Sequence, residues 1–256
     1  MPSASQVSPK GRANNAWGAH HTVATIALIM TRPAGSNDAF VARIDPQVRV
    51  DLEVVESPLI EIHPLPVAAP ISADEVAIFT SAHGVKFAPA GQGRKAFCIG
   101  THTTDVARQK GWAAHKAGSD ADALVAYLVA HPPGARLHHL SGVHVRGTVT
   151  ERLSAAGLSV VHTAIYDQKL IPLTDRAIAL LSAETPLLVP LFSPRTASQF
   201  AACASKVSAL HIVAMSAAVA NALPQAWSDK VEIAHVPNAF SMAEAVEKRV
   251  KRLRLA

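Results

Sequence analysis

Five short clusters of hydroxyl, glycine and proline residues each close a solid apolar run. Thr31-Arg32-Pro33-Ala34-Gly35-Ser36 follows Ala24–Met30, Thr80-Ser81-Ala82-His83-Gly84 follows Val76–Phe79, and Gly100-Thr101-His102-Thr103-Thr104 follows Ala96–Ile99. Ser193-Pro194-Arg195-Thr196 follows Leu187–Phe192, and Ser216-Ala217-Ala218 follows His211–Met215. The pattern continues from each cluster into a stretch of helical character. A helix N-terminus offers unpaired N–H groups and a partial positive charge, so it receives carboxylates or phosphates without needing Lys or Arg. Ser and Thr also cap their own helices, which is the plain reading of any single cluster. Their number and repetition carry the functional reading: several such termini facing one cleft suit a polyanionic small molecule.

Tyr166 is one of only two tyrosines. It lies in an extended segment, where a phenol can donate a proton to a leaving group or simply anchor the segment by its ring. Other chemistry has little support. No GxxxxGK[ST] or GxGxxG loop follows a strand, no GxSxG elbow occurs, and Gly91-Gln92-Gly93 reads as a tight connection. His138, His139 and His144 form the one cluster that suggests a metal. They lack a nearby Cys or paired acids, so no metal site is assigned. His83, His102 and His162 read as packing or capping residues. Asp120 and Asp122 suit a helix start. Cys98 and Cys203 are too few for a disulfide framework and read as buried reduced thiols.

Solid apolar strands bounded by turn residues and followed by helices indicate a parallel sheet covered on both faces, so the class is α/β. Two segments depart from this rhythm. Asp51–Ile62 and Ser159–Leu170 partly alternate apolar and polar residues, as strands with one wet face do. They bracket one block of strand–helix units, with a strand before it and further units after it. The expected organisation is two similar lobes joined by a two-stranded antiparallel linker. Lobe 1 takes residues 23–50 and 171–256, lobe 2 residues 70–158, and the linker strands 51–69 and 159–170. A faint internal repeat agrees, with Phe79-Thr80-Ser81-Ala82 echoed by Leu191-Phe192-Ser193-Pro194. Residues 1–22 have no periodicity and read as a disordered extension.

The 256 residues are 49% hydrophobic and 17% charged, which excludes a disordered chain or a coiled coil. Net charge is +5, but the excess sits at the ends: Lys10 and Arg12 at the start, and Lys248, Arg249, Lys251, Arg252 and Arg254 against Glu244 and Glu247 at the close. The neutral body carries neither a basic stripe nor stacking aromatics, so no nucleic-acid partner is expected. The apolar run around Val23–Met30 is far short of the roughly 20 residues that span a bilayer. It ends in Thr31-Arg32-Pro33 and reads as a strand, not as a signal peptide. The expectation is a cytoplasmic monomer without a membrane partner.

The order of motifs resembles that of uroporphyrinogen-III synthases. The first strand ends in TRP (Thr31–Pro33), PLIEI follows at Pro58–Ile62, and FTSAHGV and IGTHTT follow at Phe79–Val85 and Ile99–Thr104. RLSAAGLSVVHTAIYDQ (Arg152–Gln168), FSPRTA (Phe192–Ala197) and AMSAAVANAL (Ala214–Leu223) complete the series. The resemblance implies cyclisation of hydroxymethylbilane to uroporphyrinogen III with inversion of the last pyrrole, without metal or organic cofactor. It implies substrate binding by Thr80, Ser81, Gly100, Thr101, Thr103, Ser193, Thr196 and Ser216, and a catalytic Tyr166 that assists departure of the hydroxyl. The chain departs from the family pattern at Ser216-Ala217, where Gly-Pro is usual, at Val219 in place of Thr, and at Ser141, where Arg is frequent. The competing expectation is a non-catalytic, two-lobed binding protein for an anionic metabolite.

Overall fold

A computed structural model describes residues 25–66, 71–145, 148–204 and 207–255. The expected N-terminal extension lies outside them. Along the chain the elements are β1 (Ile26–Met30), α1 (Asp38–Val41), α2 (Pro46–Arg49), β2 (Leu52–Glu56), β3 (Ile60–Pro64), β4 (Val76–Phe79), α3 (Ala82–Phe87) and β5 (Lys95–Ile99). There follow α4 (Thr101–Gln109), β6 (Ala113–Gly118), α5 (Ala121–Ala130), β7 (Leu137–Gly142), α6 (Val149–Ala155) and β8 (Val160–Leu170). The last are α7 (Asp175–Leu181), β9 (Leu187–Leu191), α8 (Pro194–Cys203), β10 (Leu210–Ala214), α9 (Ala217–Ala220), a 3-10 turn at Gln225–Lys230, β11 (Val231–Ile233) and α10 (Ala239–Leu253).

Two sheets result. One has the order β11-β10-β9-β1-β2 and is parallel throughout; the other has the order β3-β8-β7-β4-β5-β6 and is parallel except for β3. All five residues of β1 are buried, as a strand covered on both faces requires. Its side chains alternate between two cores, Ala27 and Ile29 joining Phe200 on one face, Ile26, Leu28 and Met30 joining Phe40 and Met242 on the other. The second sheet divides in the same way: Ala77 and Phe79 pack with Trp112, Val76 and Ile78 with Leu124 and Leu128. Pro190 sits inside β9 without breaking the sheet. Pairing of β9 with β1 covers only Leu187 and Leu188, so the missing N–H falls where no ladder bond is needed.

The crossing region differs in detail from the expectation. Leu52–Glu56 does not join an antiparallel pair; it runs parallel to β1 as an edge of the first sheet. Its alternating pattern is that of an edge strand, which has one wet face for the same reason a linker strand does. The antiparallel pairing is confined to Ile60–Pro64 against Tyr166–Leu170, while Val160–Ala164 runs parallel to β7. The chain therefore passes between the sheets at Ser57–Leu59 and again at Ile171–Thr174. These passages are tied together: the Thr174 amide donates to Ser57 Oγ (2.9 Å) and the Ile171 amide to the Leu59 carbonyl (3.1 Å).

Candidate active site

In parallel α/β sheets the C-terminal ends of the strands carry the loops that bind ligands. Here those ends line a common cleft of about 530 Å³. The first sheet contributes Arg32 and Pro33 after β1, then Phe192, Ser193, Arg195 and Thr196 after β9. The second contributes Thr80, Ser81 and His83 after β4, Ser141 at the end of β7, and Tyr166 and Gln168 from β8.

Tyr166 stands where β8 changes partners, at a register shift opposite Gly142. The residue is only 4% exposed and its ring packs against Gly142, where an added Cβ would come within 2.6 Å of Cε2. Phe87 and His83 cover its other sides, with ring centroids 5.7 and 6.1 Å away. The hydroxyl reaches the cleft 3.4 Å from Ser81 Oγ, long for an O–H···O bond. Ser81 Oγ itself accepts from the His83 amide (3.1 Å) and caps α3. On the opposite wall Ser193 caps α8 through the Thr196 amide (3.1 Å), and Thr196 Oγ1 donates to the Ser193 carbonyl.

Histidines stand behind two cleft hydroxyls. Thr80 Oγ1 is 3.3 Å from His139 Nε2, and Ser141 Oγ is 2.8 Å from His162 Nε2. Burial, then the neighbouring His162 and His138, push the His139 pKa down to about 4, so this ring is neutral near pH 7. Burial likewise lowers His83, aided by Lys86, Arg32 and His102. Arg195 Nη2 donates to the Gln168 carbonyl (2.7 Å), which ties α8 to the crossing strand.

Of the residues expected to act, the cleft brings together Tyr166, Thr80, Ser81, Ser193 and Thr196. Gly100, Thr101 and Thr103 belong to the start of α4, beside the cleft residue Ile99 but outside the lining, and Thr103 faces the core. Ser216 caps the four-residue α9, also outside the lining, without a side-chain cap bond. The lining also holds Arg32, Arg195 and Gln168, which are not among the expected site residues, His83, expected to pack or cap, and Ser141, expected only as a departure from the family pattern. Arg32 and Arg195 lie inside turn clusters, where only the hydroxyls were weighed. Position alone, directly after an apolar strand, would have flagged them. Among the described residues His138, His139 and His144 form no metal-binding group; His138 instead bonds Thr163 Oγ1 (2.7 Å) and Glu75 (3.2 Å).

The family model of uroporphyrinogen-III synthase HemD matches residues 48–244. The chain belongs to the uroporphyrinogen-III synthase family. Its reaction is the cyclisation of hydroxymethylbilane to uroporphyrinogen III, with loss of water and inversion of the last pyrrole, in tetrapyrrole biosynthesis. A non-catalytic binding role is not favoured. Among solved structures, uroporphyrinogen-III synthetase from Helicobacter pylori is 15% identical, with a TM-score of 0.64 over 88% of this chain and 98% of that one. This likeness supports the α/β fold. A mutant uroporphyrinogen III synthase from Thermus thermophilus is 14% identical, with a TM-score of 0.46, over 89% of this chain and 99% of that one. No curated protein sequence matches this chain. Among the described residues no helix is long and apolar enough to cross a membrane.

Proposed function

We propose that Tyr166 is the proton donor of this uroporphyrinogen-III synthase and that the cleft acts mainly by holding the substrate in shape. The observation that supports this is the convergence of strand ends from both sheets on one cleft lined by the otherwise buried Tyr166, whose hydroxyl has only a long contact to Ser81. The substrate's terminal C–O bond breaks as its own pyrrole nitrogen pushes electrons outward, and the Tyr166 proton turns the departing hydroxyl into water. The resulting electrophile can close the ring unaided and give the wrong isomer. The enzyme's task is therefore to present the substituted carbon of the last pyrrole first, so that a spiro intermediate forms. Orientation of this kind supplies several kcal/mol, about 7–11 at most. The reaction is redox-neutral, so it calls for no redox cofactor.

In this reading Thr80, Ser81, Ser193 and Thr196 hydrogen-bond the substrate, and Gly100, Thr101 and Ser216 join them when the cleft closes, while Thr103, buried in the first turn of α4, serves that turn from within. The two sheets act as lobes that close about the passages Ser57–Leu59 and Ile171–Thr174. The chain works as a monomer, because one copy supplies both walls of the cleft. Its unpaired thiols, Cys98 and Cys203, suit the reducing cytoplasm. The test is incubation with enzymatically generated hydroxymethylbilane, followed by separation of type I from type III isomers. Enrichment of type III supports the reading; type I alone refutes it.

A further inference from the structure

Arg32 leaves β1 directly into the cleft, upstream of the stretch that the family model matches. Its guanidinium carbon lies 4.8 Å from the centroid of the Phe192 ring. Phe192 is held in turn by the fully buried Phe40, edge to face at 4.9 Å and 86°. The guanidinium is thus braced by a platform rooted in the first core, with one face covered by an aromatic ring. It is partly desolvated, and burial lowers its pKa. Among the described residues no carboxylate lies within ion-pair distance of it and no acceptor takes a hydrogen bond from it.

The neighbouring charges do not offset this cation. Asp120, the carboxylate in the cleft lining, is engaged by the Ala123 amide (2.9 Å) and by Ser119 Oγ (3.1 Å). Arg195 is itself a cation, with one nitrogen spent on the Gln168 carbonyl and Nη1 enclosed. A half-buried guanidinium without a counter-charge is costly unless a ligand supplies one. We propose that Arg32, positioned by Phe192 and Phe40, receives a carboxylate of the substrate as a forked pair and so selects for polycarboxylated tetrapyrroles. The guanidinium matches a carboxylate bidentately, which an ammonium cannot do. The inference rests on the tetrapyrrole-cyclising activity described above.

Initial rates with enzymatically generated hydroxymethylbilane test it, alongside anaerobic binding of uroporphyrinogen III followed by tryptophan emission. Arg32→Gln is expected to raise KM and the product Kd about tenfold or more, the loss carried by a charge-assisted bond, with kcat within about threefold. Arg32→Lys and Phe192→Leu should give smaller rises, the first by losing the fork and the second by losing the platform. Unchanged KM and Kd in folded Arg32→Gln overturn the proposal, as does a fall in kcat alone. If Arg32→Gln fails to fold, Arg32→Lys decides: a threefold or greater rise in KM supports the fork and no change overturns it. If the wild-type protein yields no type III isomer, the activity is at fault. The Kd comparison then still judges the arginine: a tenfold difference supports it, and equal Kd values or no binding by the wild type overturn it.

Discussion

Tyr166 owes its place to glycine. Any side chain at position 142 would enter the space of the tyrosine ring, since an added Cβ sits 2.6 Å from Cε2 and 2.8 Å from Cζ. Gly142→Ala should therefore cost stability by about 1–3 kcal/mol and displace the hydroxyl, so turnover falls further than denaturant midpoints would suggest. Tyr166→Phe keeps the ring packing and removes the hydroxyl, with its proton and its long contact to Ser81. Turnover should drop roughly 10- to 100-fold, toward the low end of general-acid effects because the pyrrole nitrogen drives departure by itself. Type III isomer should remain detectable by chromatography. Undiminished rate would remove Tyr166 from the mechanism. His139 gives a pH signature. Its folded pKa, about 4, lies below that of the unfolded chain, so the unfolded state binds the extra proton between roughly pH 6.5 and 4. Stability conferred by the neutral ring is present above that window and is lost as pH falls through it. Denaturant titrations should lose about 2 kcal/mol between pH 7 and pH 5 from this group, and His139→Gln should flatten that loss. The sequence showed Tyr166 as a scarce phenol in an extended segment. It could not show that His139 and His162 back Thr80 and Ser141, because those contacts join strands distant along the chain.

At the scale of elements, the strand–turn–helix rhythm was legible because parallel strands buried on both faces are uniformly apolar, and β1, β4 and β9 read as such. The extended segments were harder. Alternation reports one wet face but not the partner that covers the other, so Leu52–Glu56 was read into the crossing pair when it edges the first sheet. Short helices are also faint in sequence: the stretch of helical character expected after Thr31–Ser36 yields only the four residues Asp38–Val41 before the separate α2. Two contacts between elements make testable demands. α3 runs so close to β7 that a Cβ on Gly84 would lie 2.7 Å from the Leu140 carbonyl oxygen. Gly84→Ala should lower stability by about 1–3 kcal/mol in spite of the higher helix propensity of alanine. Arg195 ties α8 to β8 through the Gln168 carbonyl, and Gln199 Nε2 adds a second bond to the Ile171 carbonyl at 2.9 Å. Arg195→Ala should loosen this joint, visible as faster amide exchange at Gln168–Ile171 while the distant β5–β6 pair exchanges as before.

For the whole molecule, chemistry and architecture are separable. The cores lie on the faces of the two sheets and meet the cleft at residues such as Tyr166 and Phe192, so most of the polar lining can change without repacking them while those two positions cannot. Ser141, where the family pattern differs, lies in that polar lining. If the sheets close as lobes about the paired passages, small-angle scattering should record a smaller radius of gyration with uroporphyrinogen III than without it.

The strand order of the first sheet also bears on how the chain is made. β1 lies between β2 and β9, and Leu187 of β9 emerges from the ribosome some 160 residues after Ile26. Every strand of the second sheet falls within that interval. Nascent chains can thus complete one half while Ile26–Met30, wholly apolar, still lacks a neighbour on one flank. That interval is when a chaperone is most needed and when aggregation of unfinished chains is most dangerous.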